Sequence, residues 1–318
     1  MSIISKDISK AITLLTNHQL VAIPTETVYG LAGNIYSEKA INAIFETKKR
    51  PFFNPLIVHI PSVEMLSDIV DYIPKKAQLL ADAFWPGPIT LVLKKKPIIP
   101  NLITAGKDTV AVRVPNHATT LALLKQLPFP LAAPSANPFS SISPTSAQHV
   151  EDYFKDTIKM VLDGGACKSG IESTIIGFED DAPIIYRLGS IAIEDLEAVV
   201  GKIQIKNKKE VKPDAPGMLD RHYAPKTTTI LTDNIFETIQ QNLGKRIGVI
   251  AFNSEIDATH LATQIVLSKS GNMAEAASKL YDTLHQLDKQ HLDIIIAEKC
   301  PDFGLGKSIN DRLERATK

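Results

Sequence analysis

Pro24-Thr25-Glu26-Thr27-Val28-Tyr29-Gly30-Leu31-Ala32-Gly33, read together with Lys48-Lys49-Arg50-Pro51-Phe52-Phe53-Asn54-Pro55-Leu56-Ile57-Val58-His59-Ile60, is the stretch that organises this chain. The first part leaves a short apolar strand, Leu20 to Ile23, turns at a proline, and presents Thr25, Glu26 and Thr27 ahead of glycines at 30 and 33. Small hydroxyls beside glycines let a ligand approach the backbone closely. The second part sets Lys48, Lys49 and Arg50 before a proline-bounded turn, and an apolar strand then carries His59. Cations on a rigid turn suit phosphate. Each piece also has a plainer use, because Pro, Thr and Gly after a strand are ordinary turn residues and cations at a helix end complement its dipole.

Size and composition bound what surrounds this stretch. At 318 residues the chain is long for one core, and two domains are the natural expectation. The 35 basic and 35 acidic side chains cancel, which argues against a polybasic nucleic-acid clamp. No run approaches the ~18 apolar residues of a membrane span, and Met1 to Lys10 lacks the apolar region of a signal peptide, so a soluble, cytoplasmic protein is expected. Cys167 and Cys300 are the only two cysteines and lie far apart, and His285 and His291 are six residues apart, so neither a disulfide framework nor a structural metal is expected.

Taken in order, residues 7 to 19 read as an amphipathic helix leading into Leu20 to Ile23. Ser37 suits the N-cap of a helix whose Ala40, Ile41, Ile44 and Phe45 recur at helical spacing, and that helix delivers Lys48 and Arg50 to the strand Leu56 to Ile60. Trp85-Pro86-Gly87-Pro88 turns into the strand beginning at Ile89. In Thr109 to Pro115, strand alternation puts Thr109, Ala111 and Arg113 on one face. A short strand then ends in the turn Pro134-Ser135-Ala136-Asn137. The strand Ile158 to Leu162 ends at Asp163-Gly164-Gly165, a loop open to two readings, an anion-holding concavity or a hairpin. Pro183 to Leu188 adds a strand carrying Arg187.

Residues 206 to 212 are polar and charged, and Pro213 to Pro225 is proline-bounded without periodicity, so 206–228 reads as a linker whose Arg221, His222 and Tyr223 are unusual cargo for a spacer. Beyond it, regular alternation of strands and helices over 229–318 predicts a small α/β domain with a mostly parallel sheet. Gly304-Leu305-Gly306-Lys307-Ser308 lacks the leading glycine of a phosphate loop, where Pro301 stands, and reads as a helix start.

Pro24 to Gly30, Lys48 to His59, Trp85 to Thr90, Thr109 to Pro115, Pro134 to Asn137 and Asp163 to Thr174 together resemble the YrdC-like family of L-threonylcarbamoyladenylate synthases. Pro216-Gly217-Met218, Arg221-His222-Tyr223-Ala224-Pro225 and Asp311-Arg312-Leu313 resemble its longer, two-domain members. The resemblance implies an α+β YrdC-like domain over 1–205, with a twisted mixed sheet and helices around a concave site, a linker over 206–228 that acts as a lid, and a small Rossmann-like α/β domain over 229–318. It implies an enzyme that condenses L-threonine, bicarbonate or carbon dioxide, and ATP into threonylcarbamoyl-AMP and pyrophosphate, for a downstream tRNA threonylcarbamoyl transferase complex.

The same resemblance implies roles residue by residue. Lys48, Arg50, Ser135 and Asn137 would form the catalytic signature around the nucleotide. Thr27, His59, Arg113, Ala133 and Ser173 would surround threonine. Arg50, Asn54, Thr109, Ser135, Ser143, Arg187, His222 and Tyr223 would contact ATP, with a magnesium ion carried by the triphosphate rather than by protein ligands. Discrimination against serine would rest on packing around one methyl group, worth only ~1–3 kcal/mol.

Two other readings compete. A non-catalytic module binding tRNA or double-stranded RNA is disfavoured by net neutrality, so no stable nucleic-acid binding is expected. A carbamoyl-phosphate-dependent transferase would bring zinc-finger and acylphosphatase-like segments, which are not found in the sequence.

Overall fold

The computed structural model describes residues 3–206, 222–258 and 260–318, and the strands among them form two sheets. The larger is mixed. Its eleven strands run in the order Ile4–Ser5, Val161–Leu162, Val21–Ile23, Gly30–Asn34, Leu131–Ala132, Ile57–His59, Thr109–Arg113, Ile89–Lys94, Thr174–Glu179, Ala182–Arg187 and Gln204–Ile205. Near its middle, Leu131–Ala132 runs antiparallel to both neighbours, Gly30–Asn34 and Ile57–His59. Ile57–His59 pairs in parallel with Thr109–Arg113, in a register that sets His59 opposite Arg113.

Local chemistry explains how the cations are delivered to this centre. The Ser37 side chain accepts from the Ala40 amide and starts the helix Glu38–Lys48, which buries Ala40, Ile41, Ile44 and Phe45. Lys49 ends it in the left-handed conformation, φ 52°, so the chain reverses at once and carries Arg50 back toward the sheet. Helices on one side of the sheet close a core that includes Leu31, Val58, Leu91 and Val112, while Ala11, Val21, Ile23 and Met160 belong to a second cluster.

The smaller sheet has the order Thr229–Thr232, Ile294–Glu298, Ile247–Ala251 and Leu261–Val266, parallel throughout. Its helix Met273–Asp288 is opened by the Asn272 side chain, which accepts from the Glu275 amide. Gly306 begins the helix Gly306–Ala316, as the failed phosphate-loop pattern predicts.

The two sheet regions share a core rather than touching at a rim. One apolar cluster joins Val28, Ile142 and Ile171 to Leu280, Tyr281, Leu284, Ile309 and Leu313. Gly170, at φ +71°, lies so close to the second region that a Cβ there would stand 2.4 Å from the Ser278 backbone.

Two expectations need correction. The first helix spans Ile8–Thr16 rather than 7–19, because Asn17 caps it and His18, at φ 60°, turns the chain before Leu20. Gly164 and Gly165 do not form a hairpin loop, since Val161–Leu162 pairs with Ile4–Ser5 and Val21–Ile23 and not with Thr174–Glu179. Their amides donate to the Tyr29 hydroxyl and to Asp163 Oδ1. No helix among the described residues is long and apolar enough to cross a membrane.

Candidate active site

The loops at the centre of the larger sheet enclose a hollow lined by Thr25, Thr27, Val28, Gly30, Arg50, Ile57, His59, Arg113, Ala133, Pro134, Ser135, Glu172, Ser173, Arg187 and His222. Parallel pairing in register puts His59 and Arg113 side by side, and the Gly30–Ser135 bridge draws the two flanking loops together. A Cβ on Gly30 would stand 3.1 Å from that of Ala133, so glycine keeps this floor close.

One end of the hollow is an arginine fork. Arg113 Nη1 donates to Thr27 Oγ1 at 2.9 Å, and Nη2 lies 2.6 Å from Glu26 Oε1, a buried charge pair whose alignment is not that of a hydrogen bond. Thr25 Oγ1 braces the turn by pairing with Thr27 Oγ1 at 2.8 Å and accepting from the Thr27 and Val28 amides. His59 Nδ1 lies 3.2 Å from the Ile57 carbonyl oxygen. Burial, and then the Arg113 charge, push the His59 pKa down to about 3, so its ring is neutral at physiological pH.

The other end is a set of buried cations, Arg50 and Arg187. Arg50 is held by Asn54, with Nη2 donating to Asn54 Oδ1 at 2.6 Å and to Pro55 O at 2.8 Å. Arg187 donates from Nε and Nη2 to Ser173 O and from Nη2 to Ser173 Oγ at 3.0 Å, and that hydroxyl pairs with Thr90 Oγ1 at 2.7 Å. Burial and the neighbouring Arg187 press the Arg50 pKa down to about 9, which still leaves the guanidinium charged at neutral pH. Burial, then Arg50, Lys48, Arg187 and Arg312, hold His222 well below the ordinary histidine range. Its Nδ1 and the Tyr223 hydroxyl are buried without a hydrogen-bond partner among the described residues. Several positive charges converge on a neutral ring with a spare polar atom. Such a place suits an anion.

The structure thus brings Thr27, Arg50, His59, Arg113, Ala133, Ser135, Ser173, Arg187 and His222 to one hollow. Lys48 and Asn137 stand just behind it: Lys48 Nζ donates to Ser135 O at 2.5 Å and to Asn137 O at 2.6 Å, tying the helix end to the distant loop. Asn54 and Ser143 reach the lining through Arg50 and Glu172, and Tyr223 stacks edgewise on His222 with 4.0 Å between ring centres. Thr109 is elsewhere. It shares the sheet face of Arg113 but lies four residues along the strand, in a shallow cleft with Val92, Lys107, Phe178 and Tyr186. Of the proposed lid, residues 207–221, with Arg221, lie outside the described residues.

Comparison with known proteins follows the same residues. A family model for Sua5, YciO and YrdC, described as "Telomere recombination", matches residues 13–189, and one described as "Threonylcarbamoyl-AMP synthase, C-terminal domain" matches 191–317. The chain belongs to the Sua5–YciO–YrdC family. It is 40% identical to a threonylcarbamoyl-AMP synthase of Pyrococcus abyssi across 94% of this chain and 90% of that one. It is 39% identical to that of Bacillus subtilis across 97% and 92%. The crystal structure of P. abyssi Sua5 complexed with L-threonine superposes with a TM-score of 0.91 at 40% identity, covering 98% of this chain and 94% of that one.

Within this Sua5–YciO–YrdC site, Thr25, Glu26 and Glu172 are the polar groups to which sequence reasoning gave no role. Thr25 and Glu26 stand in the organising stretch itself, one residue to either side of visible signals, but nothing in the sequence says that Glu26 meets Arg113, 87 residues on. Glu172 precedes Ser173, and two of its three partners come from more than 100 residues away, as described below.

Proposed function

We propose that this protein is a threonylcarbamoyl-AMP synthase that uses the described hollow for L-threonine and ATP together. The observation that carries the reading is the juxtaposition of the Arg113–Thr27 fork with Arg50, Arg187 and His222 around one space. An amino-acid carboxylate fits the fork, with Thr27, His59, Ser173 and the Ala133 backbone around the rest of threonine. The triphosphate fits the cations, with Ser135, Asn54, Ser143, His222 and Tyr223 beside it and Lys48 and Asn137 holding the loop that presents Ser135; Thr109, in its separate cleft, takes no part.

The chemistry follows from that placement. Arg113 occupies the carboxylate, which leaves the amine as threonine's nucleophile. The neutral amine adds to carbon dioxide derived from bicarbonate; a C–N bond forms and a proton is lost to solvent, giving an N-carboxylate. One of its oxygens attacks the α-phosphorus in line, the bond from that phosphorus to the bridging oxygen breaks, and pyrophosphate leaves with the electron pair. Arg50 and Arg187 lie where negative charge grows, and no covalent enzyme intermediate is needed.

Magnesium comes with ATP as part of the substrate in this reading. The carboxylate of the lining, Glu172, is taken up by three donors, and Glu26 is paired with Arg113. No cluster of three or more His, Cys, Asp or Glu among the described residues could hold a metal ion. The hollow has a volume of about 50 Å³, well short of the ~300–1,000 Å³ of small-molecule sites. Admission of ATP therefore requires the wall carrying His222 and Tyr223 to swing outward, which is the lid role expected of the 206–228 segment. The division into a catalytic unit over 1–205 and a C-terminal unit over 229–318 is part of the same proposal, as are the tRNA-modifying acceptor of the product and a cytoplasmic setting.

The test is product identification by mass after mixing protein, ATP, L-threonine and bicarbonate, omitting each in turn. Threonylcarbamoyl-AMP and pyrophosphate are expected only from the complete mixture. Pyrophosphate from ATP without threonine contradicts the shared hollow.

A further inference from the structure

Glu172 lies where the two sheet regions meet, in the loop before the strand Thr174–Glu179, and its side chain lines the hollow while being 5% exposed. Three side chains converge on its carboxylate. Ser143 Oγ donates to Oε1 at 2.6 Å, while Tyr281 O–H and Arg312 Nε donate to Oε2 at 2.9 and 2.8 Å. Two of the three come from the second region, from the helices Met273–Asp288 and Gly306–Ala316. Arg312 is itself completely buried and fixed: Nη2 donates to Leu188 O at 2.5 Å, Nη1 to Asp311, and the guanidinium lies 4.9 Å over the Tyr223 ring.

This arrangement bears on the cations of the site. Burial opposes charge on Glu172, yet Arg312 and then Arg187, with the Ser143 hydroxyl, hold its carboxyl below the usual range. Glu172 therefore has two arginines within electrical reach, one behind it and one in the hollow. With Arg312 gone, an uncompensated buried carboxylate lines the hollow and opposes the entry of an anionic ligand. We propose that Arg312 and Tyr281 are positioning residues of the nucleotide site: by satisfying Glu172 from the rear they neutralise the carboxylate that lines the hollow and hold Ser143 in place, so the second sheet region forms the back wall of the active centre. The inference rests on reading the hollow as the ATP and threonine site.

Steady-state pyrophosphate release, with KM for ATP and for threonine measured separately, tests it in the full chain. Arg312→Met is expected to raise the KM for ATP by about tenfold or more and that for threonine by less. Adding Glu172→Gln to that variant removes the stranded charge and is expected to restore most of the ATP affinity, a recovery that lost packing alone would not give. Tyr281→Phe, which removes one donor and keeps the ring, should raise the ATP KM about threefold. It reads the same claim if Arg312→Met fails to fold. An ATP KM unchanged in a folded Arg312→Met, or in Tyr281→Phe where that is the variant read, overturns the proposal, and so does a loss that Glu172→Gln does not relieve. Calorimetry separates the two levels: wild type that binds neither ATP nor threonine contradicts the reading of the hollow, whereas wild-type binding matched by Tyr281→Phe contradicts only the positioning.

Discussion

The larger sheet and the smaller one handle charge differently. Around the centre of the larger sheet, Lys48, Arg50, Arg113 and Arg187 are all buried; Arg113 has the Glu26 carboxylate at ion-pair distance, whereas Lys48 and Arg50 have none among the described residues. Lys48 and Arg50 donate to backbone carbonyls and to Asn137 and Asn54. In the smaller region, the buried arginines pair with acids: Arg312 with Glu172 and Asp311, and Arg315 with Asp311. A buried cation without its own counter-ion is costly even when hydrogen-bonded, and on the proposed reading the ligand supplies the charge. The contrast fits the proposed reading, in which the larger region receives the anion and the smaller one braces it.

The largest break in that contrast is Arg50→Ala. If Arg50 faces the reacting phosphates as proposed, its removal should lower turnover about 10³-fold or more, and stopped assays of pyrophosphate release read it. A variant retaining a tenth of wild-type turnover would take Arg50 out of the chemistry.

Separating the two regions is the next largest. Gly170→Ala places a Cβ 2.4 Å from the Ser278 backbone at a φ of +71°. Positive-φ strain and the clash together should cost about 2–4 kcal/mol. Chemical denaturation checks it, and an unchanged midpoint would mean that the close approach carries no weight.

Acid should also distinguish the regions, through buried neutral histidines. His285 stacks on His149 at 3.9 Å, with Tyr153 and Asp282 nearby and its Nε2 3.2 Å from Ser143 O. Burial, then His149, depress its pKa to about 3. Because the folded value lies below the unfolded ~6.5, the unfolded chain binds the extra proton, and stability falls as pH drops from about 6.5 toward 3. Each such histidine steepens that fall by up to ~1.4 kcal/mol per pH unit. His285→Gln should flatten the pH dependence of the melting temperature relative to wild type; identical profiles would contradict the assignment.

The smallest expected effect sharpens the site itself. Thr27→Val removes the hydroxyl that orients Arg113 and should raise the KM for threonine about tenfold, equivalent to ~1.4 kcal/mol, with the KM for ATP little changed. Equal rises for both substrates would show that the fork is not dedicated to the amino acid.

Legibility in the sequence follows the range of the signal. Strand parity put Thr109, Ala111 and Arg113 on one face, and helix spacing with Ser37 as cap placed Lys48 and Arg50 at a helix end, because these depend on a few neighbouring residues. Alternation of elements likewise predicted the parallel smaller sheet. The end of the first helix was misread because left-handed backbone at His18 has no glycine to announce it. Thr109 shares the arginine's face, but parity says nothing of position along a strand, and four residues amount to ~13 Å. The Glu172–Arg312 pair spans 140 residues, and neither side chain has a local reason to be buried. Only the packing of one region on the other brings them together.

The central claim is that Arg113 holds the amino acid's carboxylate, so that the amine and not the carboxylate reacts on the way to the adenylate. Turnover with carbon-13 bicarbonate, followed by mass spectrometry of the adenylate, tests this directly. The account predicts that the label appears in the adenylated amino acid as a threonylcarbamoyl carbon; an unlabelled threonyl adenylate would contradict it.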